Sequence, residues 1–135
     1  MIEVAKAVTY HPGEDKILIV QRAKKDTNPL KWEFPGGSVE EEGAEETAVR
    51  ELYEETGLEG EIVEKHAKEE FTLDGREFRF HVFLTHVEEK EVDLSHEHEE
   101  HRWIKVEEAE DFDTVDGFEK DLKALKKVKR REEKD

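Results

Sequence analysis

The sequence predicts an α/β fold. Three observations support it: a continuous apolar run at Ile17-Leu18-Ile19-Val20, a change to helical periodicity between about Glu42 and Thr56, and a second helical pattern at Phe118, Leu122, Leu125 and Val128. An apolar run without alternation is what a strand covered on both sheet faces requires.

In chain order, Ile2 to Tyr10 alternates as a strand, with Ile2, Val4 and Val8 on one face and Lys6 interrupting that face. His11-Pro12-Gly13-Glu14-Asp15 is a turn, so this strand and Lys16 to Arg22 should form a hairpin. Lys24 to Lys31 is polar, contains Asn28-Pro29 and reads as a loop. It leads into the short segment Trp32-Glu33-Phe34 and a Pro35-Gly36-Gly37 turn. The first helix should turn Ala48, Val49 and Leu52 to the core and stop at Gly57. Ile62-Val63, Phe71 to Leu73 and Phe78 to Val87 suggest further strands, with Asp74-Gly75 as a hairpin turn. Glu88 to His101 is an acidic, His-rich loop before a short strand at Arg102 to Val106. A final amphipathic helix begins near Gly117, and Lys129 to Asp135, lacking an apolar anchor, is expected to fray.

A chain of 135 residues can bury a real core, and one domain is expected over its whole length. Hydrophobic residues make up 34% and charged residues 44%, a balance that would signal disorder if apolar clusters did not recur along most of the chain. The formal net charge of −16 opposes binding to a nucleic-acid backbone. A phosphorylated substrate would meet the same repulsion, and a bound divalent cation is the obvious way to reverse the field locally. The lack of cysteine excludes disulfides, thiolate catalysis and cysteine-ligated metal. No apolar run is long enough to span a bilayer and no signal peptide is recognisable, so the expected location is the cytoplasm, without a membrane partner. The sequence leaves monomer and homodimer open.

The chemistry concentrates in residues 36–58, GGSVEEEGAEETAVRELYEETGL. At about 100° per residue, Glu51, Glu54 and Glu55 share one sector of the helix. Like charges at these spacings repel, yet hard oxygen donors so clustered are what Mg²⁺ or Mn²⁺ requires. A Glu-rich face can also be merely solvated. The flanking residues favour a site: Gly-Gly lets backbone approach a ligand, Arg50 can pair with a carboxylate, and Gly57 ends the helix at a defined point.

Residues 36–58 match the Nudix signature, G-x5-E-x7-R-E-U-x-E-E-x-G-U with U a bulky apolar residue. Gly36, Glu42, Arg50, Glu51, Leu52, Glu54, Glu55, Gly57 and Leu58 fill every specified place. The chain thus resembles the Nudix hydrolases. In many members the first signature glycine is the second of the Gly-Gly pair, whereas here it is Gly36, so the turn to Glu42 is one residue shorter. Either Gly36 or Gly37 is then the candidate carbonyl ligand. The resemblance extends to the lead-in Trp32 to Gly37 and to Glu97-His98 with Glu100 and Arg102-Trp103-Ile104.

The resemblance implies an α/β/α sandwich with a mixed curved sheet between helices. It also implies metal-dependent hydrolysis of a nucleoside diphosphate linked to another group, by attack of water on phosphorus. Glu54 and Glu55 are then the main ligands for Mg²⁺, or Mn²⁺, with Glu51 as ligand or general base and Arg50 holding Glu51 and Glu42 in position. Glu97 and Glu100 are loop candidates for a further ligand or a base. Trp32, Phe34 and Arg22 are the candidate substrate contacts, Trp32 and Phe34 by stacking on a base, although core packing is the commoner use of such aromatics. His96, His98 and His101 could form a zinc cluster, but the spacing is not diagnostic and the adjacent glutamates suit harder cations. The expected substrate is a small, ordinary or modified, nucleoside triphosphate. ADP-ribose, a dinucleoside polyphosphate or a catalytically silent nucleotide-binding role are the alternatives.

Overall fold

The computed structural model describes residues 1–25 and 29–134, the side chains of 67, 68 and 131–134 excepted. Asn28, placed in the first loop from the sequence, lies outside the described residues. Strands β1 (Ile2–His11), β2 (Lys16–Arg22), β3 (Trp32–Glu33) and β4 (Gly36–Ser38) precede helix α1 (Ala44–Thr56). Strands β5 (Glu61–Leu73), β6 (Arg76–His86) and β7 (His98–Ile104) follow, then a 3-10 turn at Val106–Asp111 and helix α2 (Phe118–Lys134).

The sheet runs β3-β2-β1-β6-β5, with β4 also on β1 and β7 also on β2. β1 and β6 are parallel, from Ile2 opposite Phe78 to Tyr10 opposite His86, and the other pairings are antiparallel. The sheet is therefore mixed, as the resemblance implies. Alternation along β2 sends Ile17 and Ile19 to one face and Leu18 to the other. Val8, Tyr10, Val82 and Leu84 join the first two under Phe118, Leu122, Leu125 and Val128 of α2. Ala5, Ala7 and Phe83 join Leu18 under Ala48 and Leu52 of α1. Both faces of β2 are thus covered, which is why its four central residues are all apolar and fully buried.

Four expectations about element boundaries change. Helix α1 starts at Ala44 after Gly43, leaving Glu42 in front of the helix. Glu61–Leu73 is one strand of 13 residues, not two, because register shifts after Ile62 and Lys65 break the two-residue alternation that pattern reading depends on. β7 begins at His98, so the end of the His-rich segment is strand, pairing through Arg22, Gln21 and Val20 of β2. Helical backbone continues through Lys134, past the onset of fraying at Lys129. Lys129 Nζ lies 2.6 Å from an Asp15 carboxylate oxygen and over the Tyr10 ring. Lys6, which interrupts an apolar face, lays its ammonium over the Phe80 ring and 3.7 Å from Asp121.

Candidate active site

Helix α1 is fixed on one side by burial of Ala48, Leu52 and Thr56, which leaves its glutamates along the edge facing β4 and the loop before β7. Gly57 adopts the left-handed conformation (φ 78°) that ends the helix, its N–H donating to Tyr53 O. The next loop satisfies the last helical carbonyls: Ser95 N–H donates to Glu55 O at 2.9 Å and Asp93 N–H to Thr56 O at 2.8 Å. These bonds carry Glu97 up to the glutamate face, where its charge raises the proton affinity of both Glu51 and Glu55.

The three helix glutamates occupy different environments. Glu55 is 2% exposed. Its Oε2 accepts the Gly36 N–H at 3.1 Å, and its Oε1 lies 3.5 Å from His98 Nδ1. Burial, then the charges of Glu51 and Glu33, push its carboxyl up to about 9 against the Gly36 hydrogen bond. Glu51 is half-buried over Gly37, and burial raises its pKa more than neighbouring Arg50 lowers it. Glu54 is the exposed member, held at both oxygens by Arg50 Nη1 at 3.0 Å.

Arg50 joins this face to the turn before the helix. Its Nε donates to Glu42 Oε1 at 2.6 Å, and its Nη1 lies 3.2 Å from Glu51 Oε1. Starting α1 at Ala44 is what lets Glu42 reach back to Arg50, and the pairing holds the Glu42 carboxyl below its ordinary value.

The two glycines differ in role. β4 is bound to β1 through Ala7 N–H to Pro35 O and Val39 N–H to Glu3 O, with Ala5 opposite Gly37 between them. Gly37 therefore turns its backbone groups to β1 and Gly36 turns its own away, in agreement with the Gly36 N–H bond to Glu55.

A cleft of about 500 Å³ opens beside Glu55, lined by Arg22, Lys25, Glu33, Gly36, Glu97 and His98 among others. Glu33 takes Arg22 Nη1 at 2.8 Å on one oxygen and His98 Nε2 at 3.0 Å on the other. Sequence reading gave Glu33 no role. The signal available was a glutamate alternating with Trp32 and Phe34, whose side chains go the opposite way, into the core.

Glu55, Gly36, Glu97 and Arg22 line this cleft, Glu51 sits over Gly37 with its charge bearing on Glu55, and Arg50 ties Glu51 to Glu54 along α1. The structure does not gather Glu100, Trp32 or Phe34 there. A bulge at Glu99 puts Glu100 opposite Gln21 and His98 opposite Arg22, so Glu100 faces away from the cleft and pairs with Arg102 at 2.9 Å. Trp32 packs edge-on against Phe112, and Phe34 stacks on Phe118 of α2 with ring centroids 4.4 Å apart. Both rings are buried, so neither can stack on a substrate base. The zinc cluster does not form either: His98 is buried against Glu33 and Glu55, while His96 is exposed.

Among the described residues, no three His, Asp or Glu side chains are already arranged around a common point to hold a metal ion. The donor set nonetheless fits a hard divalent cation. The charges of Glu51, Glu33 and Glu97 all bear on Glu55, and burial makes Glu51 and Glu55 costly to ionise without added positive charge.

A sequence model of the NUDIX domain matches residues 3–125. The chain belongs to the Nudix family. It is a Nudix hydrolase, an enzyme of pyrophosphate bonds, and the family generally uses divalent metal ions. It is 38% identical over 111 residues to the CTP pyrophosphohydrolase of Escherichia coli, a match covering 81% of this chain and 79% of that protein. To an RNA pyrophosphohydrolase of Sphingopyxis alaskensis it is 31% identical over 118 residues, covering 72% and 73%. The solution structure of the E. coli ORF135 protein superposes with a TM-score of 0.78 at 32% identity, over 96% of this Nudix chain and 91% of that one. No described helix of the Nudix chain is long and apolar enough to cross a membrane.

Proposed function

We propose that this Nudix enzyme hydrolyses nucleoside triphosphates, ordinary or modified, to the monophosphate and pyrophosphate, using Mg²⁺ or Mn²⁺. The observation that carries the reading is Glu55, a buried acid pushed up to about 9 by desolvation and by facing carboxylates, beside an open cleft. Such a group is poised to exchange its proton for a cation. Similarity to a CTP pyrophosphohydrolase over four-fifths of the chain supports a triphosphate substrate.

Glu55 and Glu51 would hold the cation with Glu54, and Gly36, whose carbonyl is turned away from β1, is the better placed of the two glycines to add a backbone oxygen. When bound, the cation supplies charge neutralisation of the diphosphate and acidifies water at the site. Arg50 keeps Glu42, Glu51 and Glu54 in register along the rim. Arg22 and Lys25 give the cleft positive charge for the phosphates of a substrate bound to a strongly acidic protein. Glu97, in the cleft wall and free of the helix, is the candidate general base.

A panel of CTP, the other triphosphates, oxidised and methylated triphosphates, ADP-ribose, diadenosine polyphosphates and triphosphorylated RNA tests the reading. Products are separated as pyrophosphate or orthophosphate, with Mg²⁺, with Mn²⁺ and with EDTA. Release of pyrophosphate from one or more mononucleoside triphosphates, abolished by EDTA, is expected. Turnover of ADP-ribose or dinucleotides alone would overturn the substrate class, and full turnover in EDTA would overturn the metal requirement.

A further inference from the structure

A second cavity, of about 740 Å³, lies between β5 and α2. It is at a different edge of the sheet from the cleft: β5 ends the order β3-β2-β1-β6-β5, whereas the cleft takes residues from β3, β4 and β7. Lys120, Lys123, Lys127 and Arg130 line it from α2, and Lys65 lines it from β5. Its acids are Glu64 and Glu69, so five cations meet two acids in a chain whose formal net charge is −16. Steps of three, four and three residues set the α2 cations in one stripe, about 15 Å long at about 1.5 Å per residue. Like charges so spaced repel and destabilise a helix, a cost that an anion lying between them removes. Other lysines have acidic partners: Lys6 has Asp121, Lys31 has Asp113, Lys90 has Glu14, and Lys129, on the same helix, has Asp15. Among the described residues, Lys65, Lys123, Lys127 and Arg130 form no ion pair.

We propose that this groove binds a short oligophosphate, a chain of two or three linked phosphoryl groups, held by Lys65 from β5 and by Lys123 and Lys127 from α2. The size of the ligand follows from screening. At physiological ionic strength a charge acts over about 8 Å. A ligand no longer than the groove therefore meets mainly its five cations. A long polyanion would run out over a surface dominated by the chain's 38 acidic residues and be repelled there. Lysine ammonium groups suit such a ligand, because each acts as a point charge on phosphoryl oxygens and needs no fixed fork geometry. An anion between the two walls ties α2 to the last strand of the sheet, so its binding stabilises the folded protein.

The groove is separate from the metal site, so it is tested with metal removed. Tripolyphosphate titrated calorimetrically into the full-length protein in EDTA should bind one to one, more weakly as salt is raised. The double variant Lys123→Gln, Lys127→Gln should lose about 10-fold or more in affinity, since a hydrogen bond to a charged group is worth about a factor of ten. It should fold, because the change relieves repulsion within α2. Lys65→Gln should weaken binding from the other wall. Lys126→Gln makes the same charge change on α2 outside the groove, and Lys25→Gln makes it in the cleft; both should bind as the wild type does. Tripolyphosphate should raise the melting temperature of the wild type and of Lys126→Gln, and not that of the double variant. Wild-type affinity in the double variant, or loss of binding in Lys25→Gln alone, overturns the groove as the site. Equal stabilisation by sulfate at matched ionic strength means general screening only and overturns it too. Tighter binding of a single-stranded oligonucleotide than of tripolyphosphate overturns the ligand class.

Discussion

Gly37 lies directly against the carboxylate of Glu51: a methyl group in place of its hydrogen would sit 2.5 Å from Glu51 Cδ and 2.7 Å from Oε1. Gly36, its neighbour, is closed off by backbone, because a Cβ there would meet Ala5 O at 2.3 Å. The two glycines are required for different reasons. Gly37→Ala displaces the Glu51 side chain, which can swing aside, so the protein should fold with a near-native melting temperature while kcat, if Glu51 serves the site as proposed, drops about 100-fold. Gly36→Ala forces β4 away from β1 and should lower the melting temperature by many degrees. Thermal unfolding and steady-state kinetics on the pair check this, and equal stability of both variants would contradict it.

Glu54 is the most exposed of the three helix glutamates and, among the described residues, is tied to Arg50, so its loss should be visible in function rather than in folding. Glu54→Gln removes an exposed, solvent-screened ion pair that adds little to stability. Turnover at saturating Mg²⁺ should fall by orders of magnitude with the melting temperature almost unchanged. Glu45→Gln, on the exposed first turn of α1, is the control and should keep wild-type rates. Wild-type turnover in both variants would place the site on the wrong residues.

Glu55 links metal, pH and stability. Its folded pKa, about 9, is above the ordinary 4.5, so protonation favours the folded protein. That contribution is complete below pH 4.5 and is lost as pH rises through about 9. In EDTA the melting temperature should therefore decline as pH is raised from 6 to 9, a window set by the elevated value of about 9. Divalent cation should restore it, with a larger shift at the alkaline end, and activity should rise with pH as the proton leaves. Glu55→Gln should flatten the decline, and an unchanged profile in that variant would assign it to other groups.

Asp121, 3% exposed in the first turn of α2, behaves in the same sense at lower pH. Burial pushes it from 3.8 up to about 6, with Lys6 opposing and Glu69 adding to the shift. The stability it contributes as a neutral acid is present below pH 3.8 and lost as pH rises through about 6. Asp121→Asn keeps the shape without the charge and should be more stable than the wild type at pH 8 by roughly 1–3 kcal/mol. Near pH 4 the two should unfold alike. Calorimetry at the two pH values decides.

What the sequence determined by itself is what spacing within a few turns of chain encodes. The spacing of Glu51, Glu54 and Glu55 puts them on one helix sector wherever the helix lies, Gly57 must end that helix, and Asp74-Gly75 must turn a hairpin, with φ of 51° and 77°. The covered strand at Ile17 to Val20 was legible too, since only burial on both faces tolerates an unbroken apolar run. Tertiary structure decided how deep each group sits and what it meets. Nothing local distinguishes Glu55 from Glu54; docking of α1 against β1 and β4 buries one and leaves the other to Arg50. Trp32 and Phe34 went to the core because α2, more than 80 residues later, closes over them. A single bulge turned Glu100 away from the cleft and His98 into it. Glu33 and His98 are 65 residues apart, and their contact exists only because β3 and β7 both pair with β2. Periodicity is a property of neighbouring residues, whereas burial and partnership depend on elements distant in the chain, and on those the proton affinity of Glu55 and the setting of the site depend.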